Sequence, residues 1–343
     1  VVYERVKLRF VRNVQVEFVD RDRALRQIEE IAERSTRFPV IIYGPEGCGK
    51  TALLRQAKIV LEHYGYDVIY VSPLAESLVE ALQYSSSIED LVKEALRLVP
   101  EPYSRLVNVA LKAAQLIMRR FRRKIAILLD DLFQTVGLDK AEICTKILLN
   151  LIEYPPGDYE SIVILASSSE GTTQEKIGRH RWADLYTMWN MCKEGFRQLY
   201  DKLPGEKPDF EYVWKFTGGN PWILAVLAEH NWNVDLAINR LITSRKIDRL
   251  VLELDVAELK LLKEMLDNPD IIAMRLREKT TRNLERKLIE YNLIMYTGLR
   301  DEHLWFDMPP PERDPELGVG RYYAWQTPLH REAIRRVLEE LKV

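Results

Sequence analysis

Gly44-Pro45-Glu46-Gly47-Cys48-Gly49-Lys50-Thr51 is the segment whose residue types and spacing most directly imply chemistry. Glycines at these positions let successive backbone N–H groups converge on phosphate oxygens without Cβ obstruction. Lys50 would reach the β- and γ-phosphate oxygens of a nucleotide, and the Thr51 hydroxyl would ligate Mg2+. A helix starting near Lys50 adds its partial positive charge. The expected cradle therefore runs through Gly44, Pro45, Glu46, Gly47, Cys48, Gly49, Lys50, Thr51 and Ala52.

A second constellation lies further along. Residues 124–129 form an apolar run that stops at Asp130 and Asp131. A strand ending this way sets Asp130 to hold Mg2+ through water, and Asp131 to orient an attacking water. Carboxylates also simply solvate strand ends, and Asp131 is shorter than the Glu more usual in the water-orienting role. Residues 161–166 form another apolar run, ending in Ser167-Ser168-Ser169. Ser167 or Ser168 stands where a polar residue would sense the γ-phosphate, and a serine-rich turn is the plain alternative.

These residues need elements to position them. Residues 39–43 and 67–71 read as buried parallel strands, as do 124–129 and 161–166, with a short fifth strand near 185–189. Helical spacing marks residues 24–34, 91–98 and 105–120, with Ser87 to Asp90 read as a capping box for the second of these. Strands alternating with helices predict an α/β fold with a parallel sheet covered on both faces.

After Pro208 the pattern is helical from 210 to 247, broken at Thr217-Gly218-Gly219-Asn220-Pro221. From Asp255 come three short helices, then apolar runs at 293–296, 304–306 and 322–325, and a final helix over 329–341. Helices followed by two or three strands form a winged-helix pattern. The expected division is 1–205 for the phosphate-binding core, 206–250 for a helical lid and 251–343 for the winged helix.

Composition excludes little else. The 343 residues are 47% hydrophobic and 30% charged, and Lys+Arg 50 against Asp+Glu 52 leaves a net charge of −2, so any basic face must be local. Three cysteines form no disulfide or metal spacing. No apolar run reaches the roughly 18 residues of a membrane span, and the first residues lack a signal peptide's apolar stretch. A reducing cytoplasm is the expected compartment.

With the elements placed, the chain resembles the archaeal ATPase family, a branch of the STAND nucleotide switches within the AAA+-like P-loop NTPases. The likeness is carried by Phe18-Val19-Asp20-Arg21-Asp22-Arg23-Ala24-Leu25 and by the Gly44 to Thr51 loop. It continues through Leu128-Leu129-Asp130-Asp131-Leu132-Phe133-Gln134, Ala166-Ser167-Ser168, Gly178-Arg179 and Gly218-Gly219-Asn220-Pro221. The resemblance implies an additional-strand AAA+-like core, a helical lid and a winged helix. It further implies that Arg21 lines the adenine and ribose side, that Arg179 approaches the γ-phosphate in cis or trans, and that Pro221 packs near adenine.

On this resemblance the chain is expected to bind ATP/ADP with Mg2+ and to act as a nucleotide-driven switch, with a nucleotide-dependent oligomer as a further expectation. Asp131 in place of Glu makes slow hydrolysis as natural as rapid turnover, and leaves a non-hydrolysing scaffold as a third reading. The alternative is a DNA-binding initiator or regulator. There Arg282, Arg286 and Lys287, on the outward face of a helix capped by Thr280 or Thr281, would meet DNA or a protein partner. The basic run Arg119-Arg120-Phe121-Arg122-Arg123-Lys124 reads first as a helix C-terminus complementing its dipole.

Overall fold

The computed structural model describes residues 3–72, 81–99, 106–133, 137, 140–169, 171–178, 181–298 and 300–342. In chain order the elements are β1 Lys7–Val11, β2 Val14–Glu17, α1 Asp22–Arg34, β3 Val40–Tyr43, α2 Lys50–His63, β4 Asp67–Val71 and β5 Leu82–Tyr84. There follow α3 Glu89–Leu98, α4 Leu106–Arg120, β6 Lys124–Leu129, α5 Ala141–Glu153, β7 Ser161–Ser168, α6 Thr173–Ile177 and β8 Asp184–Thr187. Then come α7 Lys193–Asp201, α8 Phe210–Thr217, α9 Pro221–Glu229, α10 Val234–Arg245, α11 Ile247–Leu252, α12 Val256–Asp267 and α13 Ile271–Arg275. The chain closes with α14 Lys279–Glu290, β9 Ile294–Tyr296, β10 Tyr323–Trp325 and α15 Pro328–Glu340. No helix among the described residues is long and apolar enough to cross a membrane.

The chain divides into two compact units. The first comprises Val1–Val6, Arg21–Gly44 and Lys50–Thr187. It is built on a sheet of order β5-β4-β6-β7-β3-β8, parallel except for β5, which runs antiparallel to β4. Every residue of β3 and β4 is buried, as uninterrupted Val/Ile-rich runs require when helices cover both faces. The three-residue β5 was not foreseen, being too short to carry an alternation signal. The strand near 185 is β8, pairing β3 in register Ile41↔Leu185.

One local expectation fails here. Ser87 does not cap α3: residues 86–88 form a 3-10 turn that feeds the helix, and the N-cap is Ile88 with no side-chain bond. The Ser87 hydroxyl instead donates to Asp67.

The second unit comprises Lys7–Asp20, Pro45–Gly49 and Met188–Val343. One hydrophobic core joins α7 to α15: Phe196, Phe210, Ile223, Leu241, Leu262, Leu288, Trp325 and Ile334 all belong to it. Helix α15 buries Leu329, Ala333, Ile334 and Val337, a helical i, i+4 stripe, and packs on α8, α10 and α11. Helices α12 to α14 are followed by an antiparallel β9–β10 pair in register Met295↔Ala324.

The apolar run at 304–306 is not a strand. Residues Glu302–Leu304 form a 3-10 helix whose first turn is capped by the Asp301 side chain, and Trp305 and Phe306 are buried behind it. Neither Thr280 nor Thr281 caps α14. The helix starts a residue earlier, after Glu278, and Thr281 lies fully buried inside its first turns.

His330 sits in the first turn of α15, where Thr327 caps the helix by accepting the His330 N–H. The imidazole is buried, its Nδ1 is 2.8 Å from the Thr327 hydroxyl, and its Nε2 has no hydrogen-bond partner. Burial, with Arg245 as the second cause, pushes its pKa down to about 3. The folded value lies below the unfolded value of about 6.5, so the neutral ring contributes fully above that pH and its contribution is lost as pH falls toward 3. Urea unfolding should weaken by up to about 1.4 kcal/mol per pH unit across this window, and His330→Gln should flatten that slope. Parallel slopes for the two proteins would refute the assignment.

Candidate functional site

In the first unit, β3 runs directly into Gly44, and α2 opens at Lys50. The first N–H groups of α2 have no intrahelical acceptor and point along the helix axis toward any anion at its start. Lys50 is buried, and its ammonium donates to the Gly44 carbonyl at 2.8 Å, folded back along the loop. Thr51 and Ala52 are half-buried on the same first turn.

Asp130 follows β6 and is buried. Its Oδ1 accepts the Ser167 hydroxyl at 2.7 Å and its Oδ2 accepts the Tyr70 hydroxyl at 3.0 Å. Ser167 Oγ in turn accepts the Asp131 N–H at 2.9 Å, so one hydroxyl joins both residues. Asp131 has a left-handed φ of 43°, which turns the chain immediately after Asp130, and its carboxylate accepts the Ser169 hydroxyl at 3.1 Å.

Strand β7 lies between β3 and β6, with Ile42 opposite Ser167 and Tyr43 opposite Ser168. Two strand spacings, about 10 Å, therefore separate the backbone of the strand that delivers the loop from that of the strand that delivers Asp130. Ser168 is turned to Thr173, 2.6 Å away, which leaves Ser167 as the serine that meets Asp130.

Tyr70 was not among the sequence candidates. Burial, and then the Asp130 carboxylate, raise its pKa, keeping the hydroxyl a donor. Only strand pairing reveals it, because it lies on β4, the neighbour of β6 on the far side from β7. Arg21 occupies the N-cap of α1 with φ 61°, is buried, and its carbonyl accepts the Leu25 N–H. Arg179 lies outside the described residues.

The donor set fits a hard divalent cation. Each Asp130 oxygen accepts a hydrogen bond from a neutral hydroxyl and retains lone-pair capacity, and Thr51 supplies a hydroxyl. No group of three or more His, Cys, Asp or Glu side chains arranged to hold a metal ion is present among the described residues.

In the second unit, Pro45–Gly49 is the apex of the loop. Gly47 (φ +75°) and Gly49 (φ +103°) are both left-handed. A Cβ on Gly49 would meet nothing within 4 Å, whereas one on Gly47 would lie 2.2 Å from Trp222 Cβ. The Trp222 N–H donates to the Gly47 carbonyl at 3.2 Å, and Asn220 Nδ2 donates to the Glu46 carbonyl at 2.9 Å. The Glu46 carboxylate pairs with Arg245, and its N–H donates to Gln326 Oε1 at 3.2 Å. Asn220 caps α9 and Pro221 occupies its first turn, so the residues flanking Pro221 make these loop contacts.

The basic residues singled out in the sequence are mostly engaged locally. Lys287 pairs with buried Glu258 at 2.8 Å, and Arg282 donates to the carbonyls of Leu276 and Arg277. Arg286 is exposed on α14. In the run before β6, Arg120 pairs with Glu94, Arg122 with Asp158, Arg123 with Asp67 and Lys124 with Glu160.

A family model described as an ATPase domain predominantly from Archaea matches residues 18–227. No curated protein matches the chain. Among solved structures, the fold is similar to the Walker-type ATPase of Pyrococcus abyssi, at TM-score 0.51 and 14% identity, covering 93% of this chain and 96% of that one. The Orc1 protein of Aeropyrum pernix, solved in complex with DNA, aligns at TM-score 0.40 and 15% identity, over 94% of this chain and 93% of its own. AMPPCP-bound DnaA from Aquifex aeolicus aligns at TM-score 0.39 and 17% identity, over 95% and 91%.

Proposed function

The chain belongs to the family of ATPase domains found predominantly in Archaea, and from that premise we propose that it is a Mg2+-dependent ATPase acting as a nucleotide-driven switch. The observation that carries this is the Ser167 hydroxyl joining the Asp130 carboxylate to the Asp131 N–H, on the strand beside the one that delivers the loop. Lys50 and the N–H groups of Gly47 to Ala52 bind the phosphates, and Thr51 and Asp130 hold Mg2+. The cation, when bound, neutralises charge that develops on the phosphate oxygens. Asp131 orients the attacking water, and Ser167 couples its position to that of Asp130. On the family's pattern, Arg21 and Pro221 flank the base and Arg179 approaches the γ-phosphate.

In this proposal residues 1–205 are the core, 206–250 the lid and 251–343 the winged helix of a cytoplasmic protein. Glu46, held by Arg245 and Gln326, is the point at which the later segments would respond to the loop. The second reading, DNA contact through α14, is weaker, because Lys287 and Arg282 already bind groups of their own chain.

Asp130→Asn tests the chemistry, since the amide retains hydrogen-bonding capacity toward Tyr70 and Ser167 while removing the negative charge. Phosphate release should fall on the order of 100-fold or more, with the dependence on Mg2+ concentration shifted upward. Equal phosphate release by the variant and the wild type would remove Asp130 from the mechanism.

A further inference from the structure

We infer that Gln326 is a positioning residue for the phosphate-binding loop, acting through a closed ring of amide hydrogen bonds. The inference rests on reading residues 44–51 as that loop. Four residues form the ring. The Glu46 N–H donates to Gln326 Oε1 at 3.2 Å. The Gln326 carbonyl accepts Asn190 Nδ2 at 2.8 Å, and Asn190 Oδ1 accepts Asn220 Nδ2 at 2.8 Å. Asn220 Nδ2 returns to the Glu46 carbonyl at 2.9 Å, closing the ring.

The direction of every bond is determined by its neighbour. Asn220 Oδ1 is occupied by the Ile223 N–H at the start of α9, so its nitrogen must face Glu46 and Asn190. Asn190 then presents oxygen to Asn220 and nitrogen to Gln326, and Gln326 must offer oxygen to the Glu46 N–H. Asn190, Asn220 and Gln326 are all buried, so no reversed amide would find an alternative partner in water. Gln326 is itself anchored, its N–H donating to the Leu293 carbonyl at 2.9 Å beside β9.

The loop needs such a holder. With Gly47 and Gly49 both left-handed, its backbone has wide conformational freedom when unsupported. Two of the ring's four bonds fall on the loop, one from the Glu46 N–H and one to its carbonyl, and the N–H groups from Gly47 onward lie outside the ring. Holding the apex before phosphate arrives removes an ordering cost from binding. Gln326 therefore acts on nucleotide affinity without touching nucleotide, and the linkage is reciprocal: bound nucleotide must tighten the ring.

Gln326→Met, which keeps length and volume but offers no amide oxygen, tests this. We expect Mg-ATP affinity to fall about tenfold and exchange of the Glu46 amide to accelerate, while the β3 amides stay unchanged and the unfolding temperature of the nucleotide-free protein falls by only a few degrees. Wild-type affinity in that variant overturns the inference. If the variant does not fold, amide exchange in the wild type decides: a protected Glu46 N–H that gains protection with Mg-ATP supports the ring, and exchange at the rate of an open loop overturns it. A wild type that binds no Mg-ATP, with Glu46 protected and Gln326→Met releasing it, would support the ring and remove the phosphate-site reading on which its role depends.

Discussion

Lys50→Ala should abolish measurable Mg-ATP binding. Lys50 is the cation on the first turn of α2, and it is buried against the Gly44 carbonyl it contacts at 2.8 Å. In such a site an ammonium meeting phosphate oxygens acts with little solvent screening, and its loss should weaken binding on the order of 100- to 1000-fold. Thermal unfolding gives a clean readout. At a ligand concentration near 100 times its dissociation constant, wild type gains about 2.7 kcal/mol, a shift of roughly 5–10 °C for units of this size. The variant should show no shift when nucleotide is added, each protein being compared with its own nucleotide-free melting temperature. A full nucleotide-induced shift in Lys50→Ala would mean that residues 44–51 are not the phosphate site.

The second large effect concerns the fold around β10. Asp270 is buried between α12 and α13, and its carboxylate accepts three consecutive backbone N–H groups: Arg321 at 2.6 Å, Tyr322 at 2.7 Å and Tyr323 at 3.0 Å. Gly320 permits this approach, since a Cβ there would lie 2.6 Å from the Asp270 carboxyl carbon. A hydrogen bond to a charged acceptor contributes about 1.5–3 kcal/mol, and the three share one acceptor and so do not add fully. Asp270→Ala should therefore destabilise by about 3–5 kcal/mol, read as a lowered urea midpoint. Asp270→Asn, which keeps one acceptor oxygen, should lose about half as much. A change under about 1 kcal/mol for Ala would show that water replaces the carboxylate at these N–H groups.

The two effects differ in how far the sequence alone reveals them. Lys50 is legible because strand, glycine loop and helix are consecutive in the chain, and each is set by local chemistry: apolar β-branched residues, left-handed glycines, and a cation on the first helical turn. Asp130 is legible for the same reason, as the polar end of an uninterrupted apolar strand. Asp270 carries no such sign. Its partners lie some fifty residues away, and a lone Asp between two helices reads as an ordinary cap.

The sequence by itself determined the succession of β3, β4, β6, β7 and β8, the phosphate loop and the Asp130 terminus, all products of interactions within about ten residues. Tertiary structure alone decided which serine faces Asp130, that Tyr70 supplies its second hydrogen bond, and that Glu46 meets Gln326 across 280 positions. It also decided where expectation failed: a 3-10 turn displaced the Ser87 cap, and another, capped by Asp301, took the place of a strand at 304–306. The physical reason is the same in each case. A polar side chain's partner is chosen by strand order and helix packing, and neither leaves a periodic trace in the residues being paired.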